Sequence, residues 1–304
     1  NISYNKAKID KLAGGQTWQS SNWGGKPAGQ NDFFIEEGGR LGEVYGYELD
    51  GFYTTDDFSW DGSKWILNEN LTDPTELIKY NNFGPGSLKL KADEDGKFTK
   101  KRLGNTVPTV TGGFGINMRY KNFDLSAFFN YSLGNKIVNA TKLGSSYYND
   151  TKKGWNLNDN FTLANRYSWI DPSTGENMLK SSYIKSNGLD YTINRLNEIN
   201  AGASMYNPGS ITEMPLLDWA VEDGSFLRVN NISIGYTLPK VFVNKMFMQN
   251  VRIYVTGYNL YCFTKYSGAD PEVDTRRSTP MTPGVDYSAY PKSRSFVGGI
   301  NVTF

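Results

Sequence analysis

Histidine is missing from the chain, and cysteine occurs once, as Cys262. The first absence removes imidazole bases, His-containing triads and His-ligated metals, and the second removes internal disulfides and cysteine-based metal clusters. Cys262 itself reads as a small apolar residue near a strand end. Charge of either sign is not in excess either: 32 Lys and Arg against 31 Asp and Glu leave a formal charge of +1, so there is neither a nucleic-acid footprint nor an acidic tail. Long hydrophobic runs are also lacking. Mean hydropathy is −0.53, and no stretch approaches the about 18–20 apolar residues of a spanning helix. A β-barrel escapes that test, because only alternate strand residues meet lipid and polar loops dilute the average.

Aromatics and glycine are abundant, with 20 Tyr, 17 Phe, 7 Trp and 32 Gly in 304 residues. This suits strands, aromatic girdles and tight turns. The C-terminal segment places Phe296, Ile300, Val302 and Phe304 on one face of a strand, a period-two ending of the kind that directs outer-membrane barrel assembly. The clearest hairpin follows the same rule. Phe114, Ile116, Met118 and Tyr120 alternate with polar residues, as do Phe123, Leu125, Ala127, Phe129 and Tyr131. A two-residue turn at Lys121 and Asn122 would set Tyr120 opposite Phe123, Arg119 opposite Asp124 as a charge pair, and Gly115 opposite Phe128.

Further strands read at 226–238 and 250–261, with rows Ile232, Ile234, Tyr236, Leu238 and Val251, Ile253, Val255. Leu227 and Val229 have the opposite parity, so the phase slips at Asn230 and Asn231, either as a bulge or where the strand leaves the membrane. Pro239 ends the first of these strands. In the short link that follows, Val241, Phe242, Phe247 and Met248 are expected to pack beneath the wall. A weaker strand at 1–12 and a last one at 294–304 bring the count to six, each near the length of a tilted crossing.

The fold expected is therefore all-β: an antiparallel transmembrane β-barrel segment with long loops at 13–111, 133–225 and 262–293 alternating with short turns. That alternation puts the loops outside the cell and Phe304 at the periplasmic rim. Arg119, Asp124, Asn130, Arg252, Tyr254 and Tyr258 would face the lumen. All seven tryptophans, Trp18, Trp23, Trp60, Trp65, Trp155, Trp169 and Trp219, fall in the first two long segments. They either hold those loops together as small cores or line a surface that binds a ligand or partner. The chain begins at Asn1 with no signal peptide, although a barrel must be exported, which gives the expectation of a piece of a longer protein.

Several segments in this order resemble the SusC/RagA-like family of TonB-dependent outer-membrane transporters, in their C-terminal third. They are NISYNK at 1–6, YGYELDGFY at 45–53, TGGF at 111–114 with RYKNF at 119–123, and Asn139-Ala-Thr141. The most specific are EDGSFLRVNNISIGYTLP at 222–239, GYNL at 257–260, and TKYSGADPEV at 264–273 followed by YPKSR at 290–294. The resemblance implies a barrel of roughly 22 strands with a plugged lumen, of which the plug and the N-terminal strands lie outside these residues. It further implies import of an oligosaccharide or peptide together with a SusD-like surface lipoprotein, drive from the TonB complex through the N-terminal part, insertion by the barrel assembly machinery into the lipid bilayer, and a dimer of transporter–lipoprotein pairs. Relatives carry a calcium-like loop before the TGGF strand. Here, in KADEDGK at 91–97, Asp93 and Asp95 are in place, but Lys91 and Arg102 stand at the first and last ligand positions, so a solvated acidic turn and no cofactor are expected, with calcium in an extracellular loop or the partner as the alternative.

Two other classes compete. One is a self-contained barrel or adhesin that binds ligands or proteins without transport. The other is a secreted glycan hydrolase, for which Glu36 with Glu37, or Asp56 with Asp57, would have to serve as the acid/base pair. Neighbours in an extended chain point to opposite sides, and nothing around these pairs marks them as catalytic.

Overall fold

A computed structural model describes residues 1–13, 32–148, 156–245, 247–274 and 281–304, together with the backbone of Trp18–Ser20. Its centre is one six-stranded antiparallel sheet in chain order: β1 (Ile2–Tyr4), β2 (Val110–Tyr120), β3 (Phe123–Leu133), β4 (Phe226–Thr237), β5 (Asn250–Thr264) and β6 (Ser295–Thr303). Strict alternation makes the register. Tyr120 pairs with Phe123, Arg119 with Asp124 and Gly115 with Phe128 across the Lys121–Asn122 turn. One face then carries row upon row of apolar side chains, for example Met118, Leu125, Ile234 and Val255. Val302, Ile300 and Phe296 extend the rows onto β6, opposite Val251, Ile253 and Gly257.

These rows stand open. Tyr120 is 72 % exposed, Phe296 71 % and Ile300 65 %. A water-facing sheet would not tolerate a patch of this extent, whereas lipid would cover it without loss. The opposite face is polar, and only the apolar period of two separates them.

The slip at Asn230 and Asn231 is a pair of matched bulges. Phe128 opposes Asn231 while Phe129 opposes Val229, so Asn230 is the extra residue on β4. On β5 the extra residues are Asn259 and Leu260, between the Asn231–Tyr258 and Val229–Tyr261 pairs, and Asn259 takes a left-handed φ of 51°. The single insertion returns Leu227 and Val229 to the apolar face, the two residues on β5 leave Tyr261 and Phe263 in phase with Val251 and Val255, and the strands continue rather than leaving the sheet.

Three expectations are corrected. The strand sought at 1–12 covers only Ile2–Tyr4, because the chain then turns away and Ile9 exchanges backbone hydrogen bonds with Gly38 and Gly39. The link after Pro239 is a short helix, α4 (Lys240–Lys245), in which Val243 is buried while Val241, Phe242 and Phe247 are exposed instead of packed. The segment 133–225 holds three more helices, α1 (Ala140–Gly144), α2 (Ser181–Asn187) and α3 (Leu189–Ile199).

At the end of the sheet opposite the two short links, the long segments build a layer with its own cores. Lys136–Asn139 pairs antiparallel with Val221–Asp223 and parallel with Val285–Asp286, and Ile211–Glu213 pairs with Lys79–Tyr80, so all three long segments interlock. One core gathers Phe33, Ile78, Leu88, Phe161, Tyr206, Leu216 and Leu217. A second gathers Tyr53, Phe58, Trp65, Trp169, Met178, Tyr183 and Leu196.

Candidate functional site

The polar face of the sheet assembles its charges by leaving room for them. Asp124 on β3, Gly235 on β4 and Tyr254 on β5 form one cross-strand row. Because Gly235 has no side chain, the Arg252 guanidinium lies across it and grips Asp124 with two bonds, Nε–Oδ1 at 2.9 Å and Nη2–Oδ2 at 2.5 Å, over the ring of Tyr254 at 5.0 Å. A Cβ on Gly235 would meet Arg252 Nη2 at 2.4 Å. The ion pair of Asp124 is thus with Arg252, two strands away, although Arg119 is its register partner.

Nearer the loop layer a deeper cluster closes on Arg228. Its Nη2 donates to Asp270 Oδ1 at 2.5 Å, and its Nε lies 2.7 Å from Glu272 Oε2, a contact by charge without hydrogen-bond alignment. Lys292 Nζ donates to Glu272 at 2.7 Å and Asn130 Nδ2 to Glu272 at 3.5 Å. Arg228 and Asp270 are both buried. FLRVNN and GADPE, two segments that the sequence offers only as motifs, are thereby one ionic lock that fastens the stretch after β5 to the polar face.

A second lock centres on Glu222. It accepts from Asn139 Nδ2 at 3.2 Å and from Ser267 N and Oγ at 2.8 and 2.7 Å, and it lies 3.1 Å from Lys142 Nζ. Burial pushes its carboxyl up, but the bonds from Ser267 and Lys142 outweigh burial and hold it below the usual range. Around this lock opens a pocket of about 350 Å³ walled by amides and hydroxyls, with Asn139, Thr141, Asn158, Asn160, Ser267 and Ser288 among its lining. Asp159 is shared with a second cavity of about 780 Å³, which brings in Tyr148, Arg166, Trp169 and Ile170. The hydroxyl of Tyr167 in that wall is buried with no protein partner among the described residues. The combination of amide, hydroxyl, guanidinium and aromatic groups is equipped to hold a polar solute.

The tryptophans divide. Trp65 and Trp169 bury their rings in the second core, where Trp169 Nε1 donates to Pro85 O at 2.7 Å. They fill space there, and only an edge of Trp169 reaches the wall of the larger cavity. Trp60 lies edge-on to Trp65 at 5.5 Å, and Trp219 packs on Phe161 and under Lys142, 4.7 Å from its ring. Trp23, Trp155 and the side chain of Trp18 lie outside the described residues. Arg119, Asn130, Arg252, Tyr254 and Tyr258 share the polar face with Asp124, whereas Phe296, Ile300 and Val302 belong to the apolar one. Phe304 follows the end of β6, 77 % exposed. In the 91–97 turn, Asp93 Oδ1 accepts from the backbone of Asp95 and Lys97, and its Oδ2 from Thr99, so its carboxylate closes the turn itself. Sequence reasoning passed over Arg228, Glu222 and Lys142. Arg228 has a visible signal, a cation set between Phe226, Leu227 and Val229 at the start of the strand.

No protein-family model matches the chain. Among curated proteins, TonB-dependent receptor P3 of Formosa agariphila is 31 % identical over the whole chain, and TonB-dependent receptor SusC of Bacteroides thetaiotaomicron is 24 % identical, also over the whole chain. The chain spans about a quarter of these relatives, 26 % of the first and 24 % of the second. Among solved structures, the RagAB peptide transporter superposes with a TM-score of 0.56 at 21 % identity, covering 100 % of this chain and 26 % of that one, and the closed-closed state of the RagAB peptide importer gives 0.55. That likeness is one of fold. By sequence, the chain belongs with the TonB-dependent receptors of the SusC/RagA-like kind, of which it matches about a quarter.

Proposed function

We propose that the protein of which this chain forms part imports a large nutrient, an oligosaccharide or a peptide, across the outer membrane with energy delivered through TonB. The observation that supports this most is a sheet with one continuous apolar face and one charged face, in a chain related along its whole length to TonB-dependent receptors. The chain's share of the work is wall and vestibule. Six strands hold the polar face toward the lumen, and the interlocked loop layer stands outside the cell with the amide-and-hydroxyl pocket and its neighbouring cavity. Phe304 lies at the periplasmic rim, beside the short links. A SusD-like lipoprotein would sit on the loop layer and pass cargo to it.

Deletion of the gene, with and without TonB function, followed by growth on defined oligosaccharides and on peptides as sole nutrients, tests the reading. Loss of growth on one class, reproduced by loss of TonB, is expected and identifies the cargo. Unchanged growth and uptake on every nutrient that the intact strain takes up through TonB would refute it.

A further inference from the structure

The apolar face holds a groove at its loop-layer end. Ile2, Gly112, Tyr131, Leu227 and Phe263 form a single cross-strand row over five strands. Gly112 is the gap in it. A Cβ there would meet the Tyr131 hydroxyl at 2.5 Å, so the tyrosine ring lies down over the bare backbone of β2 and its hydroxyl reaches Asn1 O at 3.3 Å. Flattening this ring opens a groove of about 800 Å³ between Ile2 and Leu133 on one side and Tyr261 and Phe263 on the other. The bulge at Asn230 is what brings Leu227 to this face, beside Tyr261 and Phe263, which hold the phase of Val251 and Val255. At its rim stands Lys265, exposed. Asp223, the acidic residue of the lining, accepts from the backbone N–H of Ser225 at 3.0 Å and lies within the charge fields of Lys136 and Lys265, so two cations stand against one carboxylate at this end.

An apolar trough continuous with the lipid-facing rows, ending at a cation at the level where strands give way to loops, matches an acyl chain with a phosphate above it. We infer that this groove seats one acyl chain of a phosphorylated glycolipid of the outer leaflet, its phosphate on Lys265. The inference rests on the reading that the loop layer faces outward. It concerns the lipid that surrounds the transporter, not the cargo.

The test uses the full-length receptor purified from outer membranes, washed with detergent, incubated with purified lipopolysaccharide or, in parallel, phosphatidylglycerol, and weighed by native mass spectrometry. Wild type is expected to retain one lipopolysaccharide and to discriminate against phosphatidylglycerol. Leu133→Trp, which fills the trough, should lower retention at least about ten-fold, and Lys265→Gln, which removes the cation, about five-fold. Ile300→Trp, on the same face outside the groove, should match wild type. Retention unaffected by Leu133→Trp, equal retention of phosphatidylglycerol, or none by wild type would each overturn the inference. Labelling of intact cells with an impermeant maleimide, in a Cys262→Ser background, separates the two levels. Labelling of Tyr290→Cys but not Asn244→Cys upholds the orientation, so that a negative lipid result then counts against the groove alone. The reverse labelling would sink both.

Discussion

Replacing Arg228 by alanine removes the cation that neutralises Asp270 and Glu272 and should free the stretch after β5 from the sheet. The lock is buried on both sides of its shorter bond, so the surface rule of about 0–1 kcal/mol per ion pair does not apply. Breaking a buried pair by deleting one partner costs about 3–5 kcal/mol, because the other charge stays desolvated. Here the low end is appropriate. Glu272 is only partly buried and retains Lys292 at 2.7 Å, leaving Asp270 as the stranded carboxylate with backbone donors from Glu272 at 2.9 Å and Lys292 at 3.4 Å. About 3 kcal/mol raises the population of the detached segment roughly 150-fold. Hydrogen exchange of the full-length receptor, read by mass spectrometry, should show that acceleration in peptides over 266–274 while those over 226–238 stay protected by the ladder. Arg228→Met combined with Asp270→Leu removes both charges at similar volume and should return exchange to within about ten-fold of wild type. Unchanged exchange in Arg228→Ala, or a double variant as open as the single one, would refute the assignment of the lock.

Gly235→Ala should push the Arg252 guanidinium off Asp124. With about a quarter of each side chain exposed the loss is modest, about 0.5–1 kcal/mol in urea unfolding of the receptor in lipid vesicles, and it should vanish in an Asp124→Asn background. Leu217→Ala, a fully buried truncation in the first loop core, should cost about 2–5 kcal/mol in the loop layer and leave strand protection unchanged by hydrogen exchange. Asp171, bonded by Ser173, by Tyr183 Oη at 2.6 Å and by Arg195, has its carboxyl held well below the ordinary range. A depressed folded value means stability that is whole above the unfolded pKa of about 3.9 and drains as pH falls through the folded one. Asp171→Asn should therefore lose stability at neutral pH and lack the acid limb below pH 4 that wild type shows, followed by the urea midpoint of tryptophan emission near Trp169.

The sheet was readable because a period of two leaves no freedom: once Tyr120 faces Phe123, every pair from Val110 to Leu133 is fixed. The phase slip at Asn230 is readable as an event, but sequence alone leaves a bulge and a departure from the membrane both open, since the choice depends on the mutual register of β3, β4 and β5. The same limit explains Asp124. Its neighbour in the hairpin is Arg119, but side chains reach diagonally, and the empty place at Gly235 gives it to Arg252. In the loop layer the signals are weaker still. Helix α3 buries Leu196, with Leu189, Ile193 and Ile199 packed nearby, on a helical spacing after the left-handed Gly188, yet within a long segment without strand alternation that pattern was read as loop. Trp65 and Trp169 are core because three distant segments close around them, and no local spacing encodes that closure.

The central claim is that one face of the sheet meets lipid and the other the lumen, and it is tested most directly on β6. Single cysteines from Ser295 to Thr303 in the full-length receptor, spin-labelled in a Cys262→Ser background and reconstituted in bilayers, report collision with oxygen from lipid or with a water-soluble nickel chelate. The account predicts a period of two: Phe296, Gly298, Ile300 and Val302 accessible to oxygen, and Ser295, Val297, Gly299 and Asn301 to the chelate or shielded from both. Uniform access of the chelate to both sets would contradict it.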